Sequence, residues 1–171
     1  MIHPPTVFAI VCLLSLLLGG MQLWLWHQDR EQRALATVGL AYLIGGVGTI
    51  LLSARGLIPD RISVDVANAV IALCYGLVWT GMRQFEQRRL RPVLASLGAV
   101  VWLAACQVPD LHESLPARVA IMSAITGGYC SMAAFELIRG RISGQLPSRY
   151  PLVALLLING ALHGMRAPLL L

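Results

Sequence analysis

The chain has 171 residues, of which 57% are hydrophobic and only 12% charged, with a mean hydropathy of +0.73. That charged fraction is about half of what a water-soluble domain carries. No soluble core of this length could cover so much apolar surface, so the composition excludes an ordinary soluble domain and leaves lipid as the solvent. The formal net charge is +5 and all thirteen basic residues are arginine. They fall between apolar runs, where they read as membrane topology rather than as a nucleic-acid surface.

About 20 apolar residues cross the ~30 Å hydrocarbon core as a helix. The first such run covers 6–26 and closes on Trp24, Trp26 and His27. Its amino end lacks a positive side chain, and no small-x-small cleavage site precedes Gln28, so it is expected to be a retained helix. The second run, 34–54, contains Gly45-Gly46-x-Gly48 and is followed by a turn at Pro59-Asp60. The third, 63–82, carries Asp65 and Asn68 in its first turns and Trp79 near its end. The fourth, 92–108, is the shortest and stops at Pro109-Asp110. The fifth, 116–138, contains Gly127-Gly128 and Glu136. The sixth, 150–171, opens on Tyr150 and holds Asn159, Gly160, His163, Gly164 and Arg166. The fold expected is all-α: one polytopic transmembrane domain over 1–171, a bundle of six membrane-spanning helices.

Arginine placement sets the orientation. Arg30, Arg33, Arg83, Arg88, Arg89, Arg91, Arg139, Arg141 and Arg149 lie in the odd-numbered loops, against Arg55, Arg61 and Arg118 on the other side. The positive-inside rule then places the odd loops in the cytoplasm and both termini outside. This is the pattern of a multi-pass membrane protein.

Polar groups at membrane depth are costly and need partners. Asn159, His163 and Arg166 are spaced four and three apart, so a helix aligns them in one stripe. His163 falls near the bilayer centre and Arg166 in the outer half, at a depth where Asp65 could meet it. An Asp65–Arg166 pair is therefore expected, either as a packing salt bridge or as part of a ligand-sensing pocket with Asn68. Glu136, three residues before Arg139, is expected to form an interfacial ion pair with it.

Cys12, Cys74, Cys106 and Cys130 each stand alone in apolar sequence and read as small packing residues. His3, His27 and His112 are scattered near the membrane surface, and no spacing argues for a metal or a cofactor. No phosphate loop, GxSxG or HExxH occurs, and the carboxylates do not cluster, so no catalytic residue is expected. The glycines inside the spans allow close helix approach, within the chain or between two copies in a homodimer.

Several short pieces, taken in order, resemble the amino-terminal membrane region of bacterial diguanylate cyclases with GGDEF domains. They are His3-Pro4-Pro5-Thr6, Arg55-Gly56-Leu57-Ile58-Pro59-Asp60, Asn68, Trp79-x-Gly81-x-Arg83-x-Phe85 and His163-x-x-Arg166. The resemblance implies a sensor or input module that receives a small-molecule signal and controls a cytoplasmic cyclase making cyclic di-GMP from two GTP. It also implies Asn68, His163 and Arg166 as a sensing cluster. The sequence contains no GGDEF segment and no seventh span, so the expectation is a membrane sensory domain without catalytic output. The alternative is a small multi-span transporter or channel.

Overall fold

The computed structural model describes residues 4–140 and 146–166, with side chains over 7–140 and 146–165. His3 of the amino-terminal motif, Arg141 and the Arg166 side chain lie outside the described residues. Among those described the secondary structure is helical, with no strand. Helix α1 is Pro4–Gln28 and α2 is Arg33–Ser53. A π-helical turn, Arg61–Val66, leads directly into α3, Ala67–Phe85. Then follow α4 (Pro92–Ala105), the short α5 (Pro109–Glu113), α6 (Leu115–Arg139) and α7 (Arg149–Arg166).

Among the described residues four helices are long and apolar enough to cross a membrane: Val7–Gln28, Arg33–Ser53, Arg61–Phe85 and Leu115–Arg139. Of the six crossings expected from sequence, these four reach the required length and hydropathy among the described residues. Helix α4 is apolar but has 14 residues, a length of about 21 Å at 1.5 Å per residue. Helix α7 has 18 described residues that include Arg149, Asn159, His163 and Arg166, which lower its hydropathy.

Helix α3 is the hub. It packs against α2, α4 and α6, while α1 lies on α2 and α7 on α6. Small residues make up much of the interior, where Ala41, Ala67, Ala72, Ala133 and Ala134 are almost completely buried around Trp79, Trp102, Tyr129 and Leu137. Many large aliphatic side chains point outward instead, as Leu13, Leu17, Leu155, Ile158 and Leu162 show. In water each such leucine would forgo about 1.5–3 kcal/mol of burial. Against lipid tails they lose nothing, and small residues at the helix contacts let backbones approach closely. This inside-out distribution is that of a membrane protein.

Two contacts show how close the approach is. At Gly76 of α3 a β-carbon would overlap the Ala95 carbonyl of α4. At Gly98 of α4 it would meet the Tyr129 ring of α6 at 2.6 Å. The Tyr129 hydroxyl accepts the Gly98 N–H (2.9 Å) and donates to the Leu94 carbonyl (2.8 Å), clasping α4 from α6. The glycines singled out by sequence divide in two. Gly45 meets Cys74, Gly48 meets Ile71, and Gly127 and Gly160 face each other across α6 and α7. Gly128 and Gly164 meet nothing within 4 Å.

Candidate functional site

Polar residues gather at opposite ends of the bundle. One end holds the close of α3, the loop to α4 and the close of α6. Here Glu136 is 5% exposed. Its partners are Arg83, whose Nη1 meets Oε1, and Arg88, whose Nη1 lies 2.8 Å from Oε2. The pairing with Arg139 expected from spacing does not form. The Arg139 guanidinium lies 4.4 Å over the Phe135 ring, because Glu136 faces α3 rather than the exposed side of its own helix. Arg83 also donates Nε and Nη2 to the Arg89 carbonyl (3.1 and 2.9 Å) and sits 5.2 Å over the Trp79 ring. The loop reverses at Gln87, whose φ is +52°. The Glu86 carboxylate then lies against Gly140, leaving no room for a side chain there.

At the other end α3 begins with its π-helical turn. A wide turn of this kind loosens the carbonyl ladder and leaves acceptors free for side chains. Asn68 Nδ2 donates to the Val64 carbonyl (2.8 Å) and Trp102 Nε1 to the Asp65 carbonyl (2.9 Å). The Asp65 carboxylate lies 3.1 Å from His112 Nε2. The partner of Asp65 among the described residues is thus His112, which sequence left as a scattered surface histidine. The expected Asp65–Arg166 pair lies outside the described side chains.

Next to this turn is a cavity of about 570 Å³. It runs over α3 between α2 and the α6–α7 pair. Asn68 and His163, two of the expected sensing residues, both line it, with Tyr75, Ser123 and Thr126. The Tyr75 hydroxyl is 3.1 Å from His163 Nε2, and the two rings meet edge to face. Asn159 is not in this cavity. It lines an adjoining one of about 380 Å³, which shares Ile71 and Tyr75 with the first. Cys130 Sγ donates to Asn159 Oδ1 at 3.7 Å.

Sequence reasoning missed Arg55, Arg118, Tyr75 and Trp102. Arg55 and Arg118 border the larger cavity, and neither has an ion-pair partner among the described residues. Arg118 Nε is buried and has no acceptor. Arg55 just after α2 and Arg118 in the first turns of α6 both fall on the side opposite the odd-numbered loops, a usable clue to shared location.

The four cysteines are free, and no group of His, Cys, Asp and Glu able to hold a metal occurs among the described residues. The larger cavity has a polar rim and apolar walls, the usual make-up of a small-molecule site. No family model, curated protein or solved structure matches the chain.

Proposed function

We propose that the chain is the membrane-embedded sensory region of a signalling protein, of the kind that governs a diguanylate cyclase, in a bacterial inner membrane. In this reading all six apolar helices cross, with both termini outside, and α4 makes a short crossing completed by the turn to α5. The cavity then opens toward the outer face, and the Arg83–Glu136–Arg88 cluster lies at the cytoplasmic interface. The observation that carries the reading is the cavity that brings Asn68 of α3 and His163 of α7 to one space. Helix α7 packs chiefly on α6 and meets the hub helix through the Tyr75–His163 contact. A ligand touching both α3 and α7 therefore bonds preferentially to one spacing of the two helices, and that differential affinity is what shifts a conformational equilibrium.

A conducting path finds less support. Beyond the cavities the bundle is filled by Trp79, Tyr129 and Ala133, and Arg83 and Glu136 close its end. Self-association through the faces holding Gly128 and Gly164, which are open within the chain, would give two such units a common output.

The test is to join the chain, through one added apolar span, to a diguanylate cyclase and to measure cyclic di-GMP in cells. His163→Ala and Asn68→Ala are expected to shift the output while membrane insertion stays unchanged. Output that stays the same in both variants sinks the sensory reading, and solute flux through the chain in liposomes would replace it with transport.

A further inference from the structure

We infer that the ligand of the larger cavity is an amphipathic carboxylate, an acid group on an apolar body of medium length. This rests on the sensory reading of the same cavity. The rim supplies the acid site. Arg55 follows the end of α2 and Arg118 stands in the first turns of α6, so two guanidinium groups from different helices border one space. The Asp65 carboxylate, in the π-helical turn beside the cavity, is already engaged by His112. Neither arginine has an ion-pair partner among the described residues, so an incoming anion would be the first counter-charge at the rim. A guanidinium fork matches a carboxylate in shape as well as in charge.

The wall supplies the apolar site. Leu52, Val64, Ile71, Trp102 and Met122 line the space below the arginines. Thr126 lies eight residues beyond Arg118 on α6, about 12 Å deeper along a helix, and marks the level of the floor with Tyr75 and His163. A volume of about 570 Å³ falls within the range of small-molecule sites. A small inorganic anion would leave the walls uncovered, and a neutral apolar molecule would leave both arginines unpaired.

The experiment uses the purified full chain in phosphatidylcholine nanodiscs and radiolabelled decanoate, with decanol as the neutral counterpart. Saturable decanoate binding is expected, with decanol weaker by about tenfold or more, the scale of one charged hydrogen bond. Arg55→Gln and Arg118→Gln are each expected to weaken decanoate by about tenfold without moving the thermal unfolding midpoint. Arg118→Lys keeps the charge and is expected to retain most of the affinity. Decanol binding as tightly as decanoate, or an unchanged affinity in the double Arg55→Gln/Arg118→Gln variant, overturns the proposal. Should Arg118→Gln fail to fold, the exposed Arg55 decides by itself.

Oleate separates the sources of the acid. Tighter binding of decanoate assigns the ligand to the water phase and tighter binding of oleate assigns it to the bilayer, and either order supports the carboxylate. Binding is read without any output domain. Loss of decanoate binding alongside an intact His163→Ala effect on output overturns the carboxylate alone. Normal binding with no effect on output overturns sensing alone.

Discussion

At the Glu136 end of the bundle two arginines close on one buried carboxylate, whereas at the opposite end Arg55 and Arg118 border a cavity and meet no carboxylate among the described residues. The same residue type does different work in the two places. Arg83 bridges Glu136, the Arg89 carbonyl and the Trp79 ring, so its donors are largely committed and the α3–α4 loop is fixed to α6. Arg118 keeps a buried donor without an acceptor. A compensated cluster holds helices together. An uncompensated one does not, and the carboxylate proposed above would supply its missing counter-charge.

That contrast can be broken by mutation, and the largest effect belongs to the compensated end. Glu136→Leu leaves the Arg83 guanidinium buried without its counter-charge, and a loss of about 3–5 kcal/mol is expected on thermal or denaturant unfolding in detergent. Adding Arg83→Met should recover much of that loss, because an apolar pair replaces a broken ionic one. If Glu136→Leu unfolds like the parent chain, the cluster is not an anchor.

Next in size is the hub contact. Gly76→Ala drives a methyl group into the Ala95 carbonyl, and overpacking of this kind costs about 1–3 kcal/mol. Gly164→Ala, with nothing within 4 Å, should leave the unfolding midpoint unchanged or slightly raised, since alanine is the better helix former. Equal effects at the two glycines would mean that α3 and α4 do not approach as described.

Smaller effects are expected at the cavity end. Tyr75→Phe removes the hydrogen bond to His163 at a cost of about 0.5–1.5 kcal/mol, seen as a modest drop in midpoint. Its larger consequence should be in the ligand response, because the bond joins α3 to α7. The smallest change is Asp65→Asn. His112 is a third exposed at its side chain, and a pair so open to solvent contributes about 1 kcal/mol or less. A larger loss would show that the π-helical turn depends on that pair.

How much was legible beforehand follows the same division. The helices of the bundle could be read from apolar run length, since the bilayer sets that length independently of packing. The short loops and their arginines were equally plain. Asn68 and His163 stand out in the sequence because a polar residue inside an apolar run is conspicuous, and both line one cavity. Asn159 was found by the same rule yet faces the adjoining space, because four residues along α7 carry a side chain to another level of the bundle. Glu136 was given a neighbour on its own helix, whereas its partners come from 53 and 48 residues away.

The apolar composition by itself determined that this chain lies in lipid as helices, because run length and hydropathy act one segment at a time. Which polar groups meet was decided only in three dimensions. Asp65 finds His112 because α5, packed on α6, brings that side chain beside the π-helical turn. Arg55 and Arg118 share a rim because α2 and α6 flank the same hub helix. Interactions of that kind depend on how helices are arranged around one another, and no spacing along a single helix encodes that arrangement.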